Sequence, residues 1–315
     1  MNPILESDFE HTLIALSPAD RQALNNSTIL ITGCAGFLGF YAMKFLAHRG
    51  KELGVKAVIG LDNLILRSAP WLDRLCEKFS HVSVETFDVA YGDLTLISGA
   101  SEVTHVLHMA SIGSSPFFRK LNIETVDATV WGLRNLLDFY KDRNLKGLLF
   151  YSSSEIYGDP FEQFIPTDET YRGNVPCVGP RACYDESKRF GETLCYIYAE
   201  RYNMPVTVVR PFNTYGPGMV IDDQRAPADF AKAAIEGRDI EILSDGAPTR
   251  TFCYVADALA GHLKALVYNK FDVFNIGMDK PEISIRELAE IFAECSADIF
   301  QYEGSVKLGR SPDPF

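Results

Sequence analysis

At 315 residues, 47% of them hydrophobic and 23% charged, the chain has the composition of an ordinary soluble globular protein and the length of about two domains. Its 42 acidic residues outnumber 30 basic ones, and the net charge of −12 argues against a nucleic-acid partner, because phosphate neutralisation needs clustered Lys and Arg. A small anionic ligand needs only a local positive field and stays open.

The first residues, "MNPILESDFEHTLIAL", carry acids where a secretory signal has its basic segment. No apolar run approaches transmembrane length, so no membrane partner is expected. Cys34, Cys76, Cys177, Cys183, Cys195, Cys253 and Cys295 show neither paired nor metal-type spacing. Reduced thiols in a cytoplasmic protein without a metal site are the expectation.

Residues 1–25 read as a helical extension, with Ser17 and Pro18 placed to start a helix as N-cap and first residue. "STILITG" (27–33) is then the first of several apolar, β-branched runs without alternation, as strands covered on both faces require. It leads into Gly33, Gly36 and Gly39, a G-x-x-G-x-x-G turn at the head of a helix over 37–49. Such a loop allows a tight turn and close backbone approach to a pyrophosphate, with the helix N-terminus offering free amides and a positive dipole end. Glycines alone would also fit a plain turn.

The next two strands supply context. "KAVIGLD" (56–62) ends in Asp62 and Asn63, at the distance where a carboxylate takes the adenosine ribose hydroxyls. A carboxylate there repels a 2′-phosphate, which favours NAD over NADP. "HVSVETFD" (81–88) ends in Asp88 and Val89, suited to the adenine edge, although Asp at a strand end is also a common turn residue.

"THVLHMA" (104–110) carries His105 and His108, read as core histidines because no third metal ligand stands at useful spacing. A helical pattern follows over 122–142. "KGLLFYSS" (146–153) then ends in Ser152, Ser153, Ser154 and Glu155. No G-x-S-x-G elbow accompanies them, which removes a serine-hydrolase reading.

In "RACYDESKRFGETLCYIYAERY" (181–202), Tyr184 and Lys188 share a helix face. A neighbouring ammonium favours the phenolate, so Tyr184 could take a hydroxyl proton while a hydride leaves the same carbon. A solvated Tyr/Lys pair is the bland alternative. After "PVTVVRP" (205–211) and "RPFNTYGPG" (210–218), elements shorten to a helix near 226–236, a strand near 240–243, and helices near 255–268 and 284–295.

This rhythm predicts an α/β fold, a Rossmann-type doubly wound parallel sheet with a smaller interleaved α/β substrate-binding region. The expected division is an extension over 1–25 and an NAD-binding domain over 26–211, with 251–270 packing back on it. The substrate region comprises 212–250 and 271–315, ending in the loop-like "GRSPDPF".

Taken together, "TGCAGFLG", "SSSEIYG", "YDESK", "RPFNTYGPG" and "DGAPTRTFCYVAD" resemble the extended short-chain dehydrogenase/reductase (NAD-dependent epimerase/dehydratase) family over about residues 27–310. Its members act on nucleotide-activated sugars. Within it, "GPRACYDESKR" and "ETLCYIY" are most similar to the UDP-glucuronic acid decarboxylases (UDP-xylose synthases). The resemblance implies NAD at Gly36, Phe37, Leu38, Asp62, Asn63, Asp88, Val89, Met109, Ser111, Tyr184 and Lys188, with Gly33, Gly39, Ala110 and Phe212 beside it. It implies Ser153 on the sugar hydroxyl, and Arg181, Asn213, Arg225 and Arg250 as contacts to the nucleotide sugar.

The triplet Ser153-Ser154-Glu155 bears on the subfamily. The dTDP-glucose 4,6-dehydratases read Thr-Asp-Glu there and use the Asp to expel water; the decarboxylases read Thr-Ser-Glu; the 4-epimerases usually lack the Glu. The chain departs from the family at Thr129 and Leu133, where Asn and Thr are usual, and at "HMAS". The family's arginine-rich segment and last helix would follow "SPDPF". The implied chemistry is a transient 4-keto sugar, formed by Tyr184, Lys188 and Ser153, whose second step falls to Glu155 with Arg250. Decarboxylation of UDP-glucuronate or a related sugar acid leads; a 4-epimerase or 4,6-dehydratase, and a non-catalytic NAD-bound protein, are the alternatives. A homodimer through the helices 122–142 and 184–203 is implied as well.

Overall fold

The structure is a computed structural model and describes residues 2–309. The extension forms two helices, α1 (Pro3–Ala15) and α2 (Pro18–Leu24). Ser17 caps α2 in a reciprocal box with Asp20, as its place before Pro18 anticipates. The first half of the main domain runs β1 (Thr28–Thr32), α3 (Phe37–Arg49), β2 (Ala57–Asp62), α4 (Pro70–Lys78) and β3 (Val82–Thr86). The second half runs β4 (His105–His108), α5 (Ser115–Phe118), α6 (Asn122–Val126), α7 (Gly132–Tyr140), β5 (Gly147–Tyr151), α8 (Ala182–Tyr202) and β6 (Val206–Pro211).

The smaller lobe contributes β7 (Thr214–Tyr215), α9 (Ala226–Ile235), β8 (Ile240–Ile242), β9 (Thr249–Arg250) and β10 (Cys253–Tyr254). The chain then crosses back through α10 (Val255–Leu266) and β11 (Val273–Ile276) before β12 (Ile283–Ser284), α11 (Ile285–Phe300) and β13 (Val306–Leu308).

Seven parallel strands form the main sheet in the order β11-β6-β5-β4-β1-β2-β3. The central strands "TILIT" and "GLLFY" are buried at every residue, which is why they lack alternation. One face packs on α3 and α10, with α1 laid over those helices, and the other on α7 and α8. Chain order reverses between β1 and β4, and that crevice is where open α/β sheets bind ligands. The smaller lobe has its own core, with Phe230, Ile240, Ile242, Leu288 and Ala289 buried between α9, α11 and a short β8–β13 pair.

Two expectations change. β11 was assigned by its position to the substrate region, yet it is the seventh strand of the main sheet, with Val273 opposite Val208 and Asn275 opposite Arg210. As a half-buried edge strand containing Asn275, it lacks the apolar run by which the inner strands declare themselves. The helix expected over 122–142 is interrupted by a wide π turn over Asp127–Trp131. There the Thr129 hydroxyl meets Ser111 at 2.8 Å and Gly132 packs against Val89, contacts to other elements that helical periodicity does not report. Residues 310–315, read from sequence as loop, lie outside the described residues. No described helix is long and apolar enough to cross a membrane.

Candidate active site

The phosphate loop lies over the C-terminal end of β1. Gly33 has φ +72°, a conformation that disfavours a side chain, and a Cβ there would lie 2.7 Å from the Ala110 nitrogen. Gly36 is the N-cap of α3 and supplies no side-chain cap, so the first amides of a 13-residue helix face the crevice. Gly39 sits in the first turn, where a Cβ would fall 2.8 Å from the Cys34 backbone and closer still to the Gly33 oxygen. We expect Gly39→Ala to force loop and helix apart and to weaken NAD binding by at least about tenfold, a loss of ~1.4 kcal/mol. Isothermal titration with NAD checks this, and unchanged affinity would refute the close-approach argument.

At the end of β2, Asp62 accepts from the Ala35 nitrogen at 2.9 Å and the Leu64 nitrogen at 2.8 Å. These bonds fix the carboxylate at the crevice with lone pairs left for ribose hydroxyls. Asp88 is held likewise by the Ala90 nitrogen at 2.9 Å, with the Asn63 amide 3.4 Å away. One cavity of about 470 Å³ is lined by this loop, by Phe37 and Leu38, by Asp62, Asn63, Asp88 and Val89, and by Met109, Ala110, Ser111 and Phe212. Bare backbone where phosphates must approach, an acid for the ribose and an apolar floor fit a dinucleotide.

The same cavity reaches Ser153, Ser154, Glu155, Tyr184 and Lys188. Tyr184, in the first turn of α8, is 8% exposed and its ring stacks on Phe118 at 5.1 Å. Burial pushes the Tyr184 pKa up to about 12, against the Ser153 hydroxyl, which favours the phenolate. In the protein alone, desolvation dominates the Tyr184 phenol, with Glu155 and Asp185 adding to it and Arg225 opposing it. Lys188 is buried and donates to the Tyr151 carbonyl at 2.6 Å. Burial lowers its pKa to about 7, against the opposing pull of Glu192.

Glu155 is the second residue of the short turn Ser154–Tyr157, its nitrogen capped by the Ser153 hydroxyl at 3.2 Å. Its carboxylate is half-exposed and paired with Arg181, whose guanidinium also reaches the buried Asp185 at 3.3 Å. Arg225, the N-cap of α9, lines the cavity while bound to Asp223, with one contact at 2.9 Å. Asn213 lines it too and donates to the Thr251 carbonyl at 3.0 Å.

Arg250 is not brought to the cavity wall. It is exposed on β9, paired with Ile283, and its guanidinium turns back to the Thr249 carbonyl at 2.7 Å. The cation beside Glu155 is Arg181 instead, because α8 starts directly over the end of β5. Sequence reading also missed Phe118 beneath Tyr184, Asp223 beneath Arg225, and the pair Glu192–Arg210, each joined by tertiary contact rather than by a motif. His108, expected as a satisfied core residue, hydrogen-bonds Thr32 at 2.7 Å through one ring nitrogen and leaves the other buried and unpartnered.

Residues 29–277 match the NAD dependent epimerase/dehydratase family. The chain belongs to that family. It is accordingly an NAD-dependent enzyme, and the loop just described is suited to that cofactor. UDP-glucuronic acid decarboxylase 6 of Arabidopsis thaliana is 34% identical over 270 residues, 86% of this chain and 74% of that protein. UDP-glucuronic acid decarboxylase 1 of Xenopus tropicalis is 33% identical over 283 residues, covering 89% of this chain and 61% of that protein. A solved UDP-glucuronic acid 4-epimerase from Bacillus cereus in complex with NAD superposes with a TM-score of 0.72 at 25% identity, over 90% of this chain and 87% of that one. UDP-glucose 4-epimerase of Thermotoga maritima shares the fold, with a TM-score of 0.76 at 24% identity over 91% of this chain and 87% of that one.

Proposed function

We propose that this enzyme decarboxylates UDP-glucuronate or a closely related nucleotide-sugar acid through a transient 4-keto sugar. The observation that carries the reading is Glu155, paired with Arg181, in one cavity with Tyr184, Lys188 and Ser153. Ser154 stands where a dehydratase would keep a carboxylic acid, so water loss lacks its proton donor. The names of the curated relatives support the same substrate class.

Gly33, Gly36, Phe37, Leu38 and Gly39 hold the pyrophosphate of the cofactor, Asp62 its ribose, and Asp88 and Val89 its adenine end. Met109, Ala110, Ser111 and Phe212 wall the site, and Lys188 anchors the reactive end. When bound, oxidised NAD supplies a hydride acceptor and a positive ring charge. Tyr184 takes the proton of the sugar 4-hydroxyl, Ser153 orients that hydroxyl, and a cationic Lys188 favours the phenolate.

With C4 a ketone, the bond between C5 and the carboxylate breaks; its electron pair passes to the ketone oxygen as an enolate, and carbon dioxide leaves. Glu155 then manages proton delivery to C5. Arg181 holds Glu155 in place and is the cation nearest the sugar acid, the part that Arg250 does not reach the cavity to play. Arg225 and Asn213 face the diphosphate. The buried lysine and phenol mark a site that excludes water from the keto intermediate.

We also propose a cytoplasmic homodimer. Its support is a set of exposed apolar side chains, Ile123, Trp131, Phe190 and Ile197, on the two helical stretches implicated by the sequence. Incubation with UDP-, dTDP-, CDP- and GDP-sugars tests the function. Carbon dioxide release from UDP-glucuronate, without net NADH, is expected. Isomerisation, water loss, or no turnover with any sugar would overturn it.

A further inference from the structure

Tyr184 and Lys188 are four residues apart on α8, and the next position on the same helical line is Glu192. Three consecutive residues at the end of β5 meet these three. The Ser153 hydroxyl shares the cavity wall with the Tyr184 phenol and favours its ionisation. The Tyr151 carbonyl takes Lys188 at 2.6 Å, and the Ser152 hydroxyl donates to Glu192 at 2.5 Å. Only the first two of these contacts belong to the hydride step as argued above.

Glu192 is itself held. Arg210, on β6, grips both carboxylate oxygens, at 2.9 Å through Nε and 2.6 Å through a terminal nitrogen. The two side chains are 14% and 9% exposed, so the pair is largely removed from water. Arg210 continues to the Tyr157 hydroxyl at 2.7 Å and the Glu169 carbonyl at 3.0 Å, and Tyr157 in turn donates its hydroxyl hydrogen to Asn275 on β11 at 2.7 Å. A buried ion pair is expensive to assemble and contributes little net stability on its own. Its polar satisfaction is complete here, which is what lets it define one arrangement of the strand end.

We propose that Glu192 is a positioning residue for the hydride step. Clamped by Arg210, it holds Ser152, and thereby sets the Tyr151 carbonyl and Ser153 hydroxyl against Lys188 and Tyr184 while keeping a negative charge one helical turn from the lysine. This rests on the assignment of Tyr184 and Lys188 to that step. The groups around Lys188 are the Tyr184 ring and Glu192 from α8, the Tyr151 carbonyl and Phe150 ring from β5, and His108 from β4. Burial drives His108 down to about 3, with Lys188 adding to the effect, so at neutral pH it carries no charge that could compensate the lysine. Glu192 is the group that opposes the desolvation of Lys188.

The test compares Glu192→Gln, Ser152→Ala and Tyr184→Phe as NAD-bound proteins. Glu192→Gln removes the charge and is expected to lower kcat by up to about 100-fold, the scale of a misplacement of about 1 Å, with KM for the sugar nucleotide little changed. Losing the carboxylate makes the ammonium easier to deprotonate, so the basic limb of the kcat profile moves to lower pH. Ser152→Ala keeps the ion pair and should lower kcat without that movement.

Independently of turnover, the Lys188 signal of isotope-labelled lysine, assigned by its loss in Lys188→Met, should titrate at lower pH in Glu192→Gln than in wild type. A purely structural role would lower the melting temperature and leave that midpoint where it was. An unmoved midpoint overturns the role of Glu192 alone. Full turnover in Tyr184→Phe would instead overturn the assignment on which it rests.

Discussion

Tyr184→Phe is expected to lower turnover by roughly 10²–10⁴-fold, the range that a positioned general acid–base group contributes, while NAD affinity and melting temperature stay close to wild type. The substitution removes one oxygen and keeps the ring, whose stacking on Phe118 at 5.1 Å is what seats it. What disappears is the group proposed to take the 4-hydroxyl proton and return it. In the protein alone burial pushes that phenol up to about 12, so a poised base needs positive charge brought close to it. Arg225 already opposes the rise, Lys188 lies 5.5 Å from the ring, and the cofactor ring would add its positive charge when bound.

The pH profile follows with a definite sign. Once bound NAD has drawn the Tyr184 phenol down from about 12, wild-type kcat/KM should rise with pH as Tyr184 loses its proton and fall again as Lys188 loses its own; the rising limb should be absent from the residual activity of Tyr184→Phe. Steady-state rates of both proteins across the pH range check this. Residual activity within about threefold of wild type would remove Tyr184 from the mechanism, since no positioned base contributes so little.

The parts of this molecule that sequence made legible are those whose parts are neighbours along the chain. Gly33, Gly36 and Gly39 are spaced by the turn they make, Asp62 and Asp88 end their own strands, and Tyr184 and Lys188 are one helical turn apart. Each is read from a local period or a strand boundary. The sheet followed from the same logic, because strands buried on both faces have no alternation to hide. What stayed illegible is held by contacts between distant segments.

Glu192 looks like any polar residue of a long amphipathic helix until Arg210 arrives from β6 to pair with it. Phe118 and Tyr184 are 66 residues apart and meet only because α5 folds over the crevice. The π turn carries Thr129, which meets Ser111, and β11 joins the sheet on the strength of pairing with β6 rather than of its own composition. Arg250 shows the reverse case. Its motif context suggested the sugar acid, whereas the β9–β12 pairing turns it outward and α8 offers Arg181 to Glu155 in its place.

Glu155→Gln separates the two halves of the proposed reaction. The amide keeps the size of the carboxylate but can neither carry its charge nor exchange a proton as an acid, while the turn that seats it, capped by Ser153 at 3.2 Å, is unaffected. Arg181 keeps Asp185, 3.3 Å away, and so remains anchored when its other partner becomes neutral. The hydride step, proposed for Tyr184, Lys188 and Ser153, should therefore proceed.

With UDP-glucuronate, the near-ultraviolet absorbance of NADH should appear and persist, and release of the decarboxylated sugar nucleotide should fall by roughly 10²–10³-fold, within the range of a lost general acid–base group. Wild type should show little standing NADH, because the hydride returns as fast as the keto sugar is processed. The comparison is internal: a variant that bound sugar badly would form neither NADH nor product, whereas loss of the second step leaves the first visible. An unchanged yield of decarboxylated product would show that Glu155 has no part in the second step. Ser153 would then be the last residue of the strand end with a chemical role, and the serine–glutamate turn after it a matter of folding.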